Sequence, residues 1–451
     1  MKRLFLISCE KVTGWSSVNM AVQYRIYSHT EIGIRLSMAK MVMERVLAKA
    51  RQVAIVGGGP AGLMAAEMLS AAGHTVTVFE AMPTVARKLL MAGKSGLNIT
   101  HAEDYDSFRH RFGDAEPALR AALDDFTPGM LRDWAHGLGQ ETFVGTSGRV
   151  FPKAMKASPL LRAWLARLEA QGVTIRTRHR WTGFSGDQLV FETSAGAVEV
   201  KADAVLLALG GASWPRLGSD AAWVPALVAK GVAFSPFRPA NCGFDVEWSD
   251  VFRQRFAGEA VKSTITISPA GAFQGEFVIT KHGIEGSVVY AHSAALRDRL
   301  EQAGKASLTV DLAPGRTVER LSRDLAKLGR KESFANRMRK AAGLSAVKVG
   351  LLRDIFPDIA AMPDDFVAAR MKHAEIPLLR PRPIAEAISS AGGIAWGGLD
   401  ANYMLQKLPG IFAAGEMLDW EAPTGGYLLT ACFATGKAAA NGMARWLESS
   451  A

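Results

Sequence analysis

A chain of 451 residues is too long for one ordinary hydrophobic core, so two or three domains are expected. With 49% hydrophobic and 8% aromatic residues it is globular in composition, and no apolar run approaches the roughly 20 residues of a membrane span. The net charge of +10 is spread along the chain, densest over 316–348 in alternation with acids and apolar residues, which reads as solvated helix faces able to attract anionic ligands rather than as a nucleic-acid footprint.

Residues 1–49 carry no functional signal. The apolar run Leu4-Phe5-Leu6-Ile7 is too short for a secretory leader, and no small-residue cleavage site follows. Met38, Met41 and Met43 stand just before the first domain, so the natural start is expected at one of them.

The organising stretch is 53–80. Val53-Ala54-Ile55-Val56 is a buried parallel strand, followed by Gly57, Gly59 and Gly62 at G-x-G-x-x-G spacing. A helical pattern opens with Pro60-Ala61 and runs to Gly73, and a second strand ends on Glu80. Gly57 permits the tight turn, Gly59 lets a pyrophosphate approach, and Gly62 lets helix and strand pack closely. The helix start offers free N–H groups to phosphates. Glu80 stands where a carboxylate accepts from ribose hydroxyls, which disfavours a 2′-phosphate and leaves FAD or NAD. The order strand, glycines, helix, strand, acid within about 30 residues is the context such a motif requires.

Residues 83–100 read as a flexible loop closing over a cofactor. Lys88 either pairs with phosphate or stays solvated, and Asn98 and Thr100 supply polar contacts. Gly93-Lys94-Ser95-Gly96 is not a P-loop: it follows no strand and lacks the upstream glycine. Helices are expected over 115–140 and 158–172, with a hairpin at 145–152 between them. Short β patterns at 173–176, 189–192 and 197–200 lead to a second buried strand, 204–209, that runs into Gly210-Gly211. This segment resembles the strand-to-glycine return of two-dinucleotide-binding-domain flavoproteins.

From 214 to 383 the α/β alternation lapses. Strands are expected at 263–267, 275–280 and 306–310, and helices at 317–328, 334–342 and 346–355. At the far end, 408–416 is a short buried strand ending on Gly415-Glu416, and Pro423-Thr424-Gly425-Gly426-Tyr427 opens a long small-residue helix. That helix start is again an anion-binding geometry, pointed at a reactive ring. The expected fold is α/β: a Rossmann-like domain formed by 50–213 and 384–451, interrupted by a β-barrel-like and helical insert over 214–383, after an N-terminal extension, 1–49. Cys9, Cys242 and Cys432 are far apart with no C-x-x-C, which excludes a disulfide framework, a zinc site and a dithiol pair, and fits a reducing cytoplasm.

The chain resembles the BaiN-like NAD(P)/FAD-dependent oxidoreductases from about residue 53 to its end. The resemblance is carried by Gly57-Gly58-Gly59-Pro60-Ala61-Gly62, Arg87-Lys88-Leu89-Leu90 with Asn98-Ile99-Thr100, Ala208-Leu209-Gly210-Gly211, Gly283-Ile284-Glu285-Gly286, and Ala414-Gly415-Glu416 with Pro423-Thr424-Gly425-Gly426-Tyr427. It implies FAD, with Glu80 on its ribose, Glu416 near the ribitol, and Gly425 and Gly426 near the isoalloxazine. Two departures stand out. Gly93-Lys94-Ser95-Gly96-Leu97-Asn98 lacks the family's arginine and cysteine, and Thr280-Lys281-His282-Gly283 displaces its histidine by one position.

The expected activity is FAD-dependent reduction of a small organic acceptor such as a conjugated alkene or enone, with NADH or NADPH as transient reductant, since no second G-x-G-x-x-G is present. Lys281 and His282 are the candidate proton donors of the insert. Two alternatives are a non-catalytic flavin-binding or electron-transfer protein and a flavin-dependent nucleic-acid-modifying enzyme.

Overall fold

The computed structural model describes residues 50–94, 96–329 and 331–450. The N-terminal extension and its start-site methionines lie outside the described residues.

A parallel five-stranded sheet forms the first core. Its central strand β1 (Gln52–Val56) buries Val53 to Val56 on both faces, so it reads as an unbroken apolar run. Helix α1 (Pro60–Ala71) returns the chain to β2 (Thr75–Glu80), which pairs with β1 in register Val53 to Val76. Proline at the first helical turn suits α1, because that position has no intrahelical N–H bond to lose. On one side β2 pairs with β3 (Thr174–Thr177); on the other, β1 pairs with β4 (Ala204–Leu207). The outer place beside β4 is taken by β7 (Ile411–Ala413), whose chain position is two hundred residues later.

Two segments differ from expectation. Residues 115–140 form two helices, Glu116–Asp125 and Pro128–Gly137. Pro128 cannot donate to the preceding turn, and the Thr127 side chain caps the new helix by accepting from Met130 N–H. The stretch expected as a flexible loop holds a short helix, α2 (Arg87–Ala92). It is fixed by buried Leu89 and by Ala86 N–H, which donates to Gly58 O at 2.8 Å.

A second core gathers buried side chains from Cys242 to Ala387. Its seven-stranded antiparallel sheet runs, in space, from Ala374–Leu378 through Ala306–Asp311, Ala260–Ser268, Gly271–Ile279, Gly283–Glu285 and Phe244–Asp245 to Arg380–Pro381. The two edge strands are consecutive in the chain with only Leu379 between them, so the sheet curls like a barrel. Helix α3 (Ser287–Ala303) packs on this sheet, as do Ala346–Ile355 and Asp364–Lys372, while Val318–Ala326 and Phe334–Ala342 pack on those helices and on each other. Two antiparallel strands, β5 (Phe234–Ala240) and β6 (Ser389–Ile394), connect the cores.

The chain ends in α4 (Tyr427–Ser449), which lies against α1. Glycine is required at the crossing: a methyl on Gly436 would stand 2.3 Å from Ala61 O. No helix among the described residues is long and apolar enough to cross a membrane.

Candidate active site

One cavity of about 870 Å³ runs from the first glycine turn to the region between α3 and the start of α4. At one end, Gly57 adopts φ +110°, and a methyl there would meet Ala208 O at 2.2 Å. Gly62 plays the packing part expected of it, with its Cα against Gly57 O, and it does not line the cavity. A methyl on Gly59 would meet nothing within 4 Å, so the backbone there faces open space. Gly57, Gly59, Pro60 and Ala61 all line the cavity.

Glu80 is held by two backbone donors, Gly58 N–H at 2.9 Å and Met82 N–H at 2.8 Å. Burial pushes its carboxyl up, while those two bonds act to bring it down. Each carboxylate oxygen keeps a lone pair for a further donor.

Midway along the wall, Lys88 meets Glu416. Lys88 Nζ donates to Glu416 Oε2 at 2.7 Å and to Ser213 Oγ at 2.9 Å. Ser390 N–H donates to the other Glu416 oxygen at 3.1 Å. Lys88, expected at a phosphate or in solvent, is thus the partner of the second acidic residue of the site. Gly210, Gly415 and Glu416 line this part.

At the far end stand Asn98, Thr424, Gly425 and Gly426. Asn98 uses its side-chain N–H groups on Thr100 O and Val150 O, which fixes its carbonyl oxygen relative to the cavity. Thr100 and Tyr427 do not line the cavity. Thr100 lies fully buried beneath Gly426, where a methyl would approach its Cα to 2.5 Å. Tyr427 turns away to stack on His101 and pack at a tilt against Phe108, with ring centroids 5.3 and 4.9 Å away. Lys281 and His282 occupy an exposed turn after Gly271–Ile279 and do not line the cavity either.

The cavity wall also carries groups that local sequence reading missed, among them Trp181, Ser219, Asn241 and Tyr290. Arg87 Nε, Trp181 Nε1 and Ser219 Oγ are buried without a protein hydrogen-bond partner, and all three residues line the cavity. Buried polar atoms are normally paired, so three orphans along one cavity point to a polar ligand. A glycine turn open at Gly59, a doubly held carboxylate and these orphans fit an extended dinucleotide such as FAD.

Parallel sheet, glycine cradle and divided chain together define a Rossmann-type, FAD-dependent oxidoreductase. The chain belongs to the family described as HI0933-like protein Rossmann domain, whose model matches residues 51–442. It is similar to a 3-dehydro-bile acid delta(4,6)-reductase of Clostridium scindens, 25% identical over 405 residues, covering 85% of this chain and 97% of the relative. It is also similar to a ribosomal RNA dihydrouridine synthase of Escherichia coli, 24% identical over 385 residues, covering 83% of this chain and 93% of the relative. Among solved structures, a 3-ketosteroid delta1-dehydrogenase from Sterolibacterium denitrificans shares the fold, with TM-score 0.50 and 13% identity over 88% of this chain and all of that one.

Proposed function

We propose that the protein is a reductase that takes reducing equivalents from NADH or NADPH and passes them to a carbon–carbon double bond conjugated to a carbonyl in a small organic acceptor. The observation that carries this reading is the single continuous cavity, with a dinucleotide cradle at one end and a pocket lined by α3 and the Pro423–Gly426 segment at the other. The two relatives' activities, as named, have one chemical event in common, the addition of two hydrogens across such a bond.

FAD, when bound, supplies two-electron hydride chemistry. Gly57, Gly59 and the start of α1 take its pyrophosphate, and Glu80 takes ribose hydroxyls. Glu416, steadied by Lys88 and Ser390, serves the ribitol region. Thr424, Gly425 and Gly426, at the N-terminus of the 23-residue helix α4, favour negative charge on the ring side. Residues 50–213 and 384–451 form the cofactor-holding part, and 214–383 closes the substrate end.

The test is a pair of half-reactions on the flavin-loaded protein. NADH or NADPH is expected to bleach the 450 nm band (about that of oxidised flavins), and an enone is expected to restore it. Bleaching by neither nucleotide would leave only a flavin carrier.

A second reading follows from the ribosomal RNA dihydrouridine synthase relatives: the acceptor is a uracil base in RNA. Arg87, Lys94 and Arg149 line the cavity and offer cations to phosphates. Tight, salt-sensitive binding of ribosomal RNA fragments would favour it; no binding at low ionic strength would remove it.

A further inference from the structure

The pocket beside α3 holds a residue that cofactor binding does not use. Tyr290, Ser293 and Arg297 are spaced three and four apart on α3 and share one face of the helix. Two of them are tied to the extended segment that leads into the cavity loop, Arg297 directly and Ser293 through Asn241. Ser293 Oγ accepts from Asn241 N–H at 2.9 Å, and the Asn241 side chain donates to Ala422 O at 2.8 Å. Arg297, fully buried, grips Glu421 with bonds of 2.7 and 3.0 Å. Residues 421 and 422 run directly into Pro423-Thr424-Gly425-Gly426. The third member of the face, one turn nearer the helix start, is Tyr290, and it lines the cavity.

The other titratable groups on the wall are engaged or misplaced for giving a proton here. Lys88 and Glu416 hold each other. Glu80 and His179 stand at the end of β2, in the cradle half, where His179 N–H donates to Glu80 O. The Cys432 thiol is sealed among buried residues and pushed up to about 12. Arginines keep their protons, and Lys94 is an exposed side chain.

We propose that Tyr290 is a catalytic acid that delivers its Oη proton to the α-carbon of an α,β-unsaturated carbonyl substrate. This assignment rests on the reductase reading above. As the β-carbon takes the hydride and its electron pair in the flavin-linked reduction, the α-carbon takes the phenol proton. The phenol O–H bond and the hydride donor's bond to hydrogen break, two C–H bonds form, the C=C bond becomes single as the reduced flavin is oxidised by two electrons, and water reprotonates the phenolate. Burial, aided by the Glu285 charge, pushes the phenol above its ordinary value, so it enters the reaction protonated. The backbone N–H of Gly286 acts the other way and favours the phenolate left behind.

The test uses flavin-loaded wild type and Tyr290→Phe, with androst-4-ene-3,17-dione as the acceptor. Flavin content, bleaching by NAD(P)H and the calorimetric Kd of the steroid are expected to stay within about threefold of wild type. Reoxidation by the steroid is expected to slow by about 10²–10⁴-fold. In deuterium oxide, wild type is expected to place solvent deuterium on one face of the α-carbon. Reoxidation of Tyr290→Phe within about tenfold of wild type overturns the assignment and leaves the reductase reading standing. A wild-type product labelled equally on both faces also overturns it, whatever the variant's folding. Wild type that reduces neither this steroid, 2-cyclohexenone nor uridine overturns both readings.

Discussion

Replacing Lys88 by methionine removes the cation from a carboxylate that has little water to turn to. The Glu416 side chain is 7% exposed and Lys88 26%, with 2.7 Å between Nζ and Oε2. Breaking a buried pair from one side costs about 3–5 kcal/mol, because the remaining charge stays buried. Lys88 is a quarter exposed, so water can reach the vacated place, and the expected loss lies at the low end, about 3 kcal/mol. Glu416→Gln is expected to cost less, about 2 kcal/mol, since Lys88 can swing toward solvent. The double variant carries neither buried charge and is expected to lose about 3 kcal/mol, a coupling of about 2 kcal/mol. The assay is urea unfolding of the flavin-free protein, followed by tryptophan fluorescence for all four members of the cycle. Losses that add to within about 0.5 kcal/mol would refute the pairing as an energetic unit.

Glu80→Ala removes the acceptor of two backbone N–H groups and the proposed ribose contact. It is expected to weaken FAD binding by about 10²-fold or more, read from quenching of flavin fluorescence on titration. Gly426→Ala forces a methyl to 2.5 Å from Thr100 Cα at φ +93°, a clash between two backbones. We expect a loss of about 2–3 kcal/mol and a colourless preparation, measured by thermal melting and absorbance. His292 is fully buried, with Ser268 Oγ at 2.7 Å and Thr266 Oγ1 at 2.9 Å, and burial lowers its pKa from 6.5 to about 4. As pH falls below 6.5 the unfolded chain takes up this proton before the folded one does. The stabilisation, on the order of 3 kcal/mol, is therefore complete above pH 6.5 and is lost as pH falls toward 4. His292→Asn should flatten the urea midpoint across that window; an unchanged slope would remove the histidine from the account.

What could be read from sequence was local. The strand, glycine turn, helix, strand and acid of 52–80 each follow from neighbouring residues, and Gly57 and Gly62 sit against the backbone atoms their spacing implies. Strand β7 was legible because a buried strand ending on Gly415-Glu416 has a distinct pattern, although its neighbour β4 was not deducible from it. Side-chain direction was the weak point. Thr100 and Tyr427 belong to motif blocks, yet one lies under Gly426 and the other faces His101. Lys281 and His282 carry proton chemistry in their side chains but occupy an outward turn. Trp181, Ser219 and Tyr290 reach the cavity only because distant strands and α3 are packed where they are. Nothing within a few residues of them announces that. The loop expected over 83–100 failed for a related reason, since α2 is held by a bond to Gly58 nearly thirty positions earlier.

The order of strands β7-β4-β1-β2-β3 has a consequence for biogenesis. Synthesis delivers a polypeptide from its N-terminus, and units fold as they emerge. The interrupting unit has all its core residues by Ala387, whereas the sheet around it waits for residues 411–413 and for α4. The guest therefore matures before its host. A cofactor held by that sheet can settle only once residues 411–413 and α4 have joined it, after the guest is already packed.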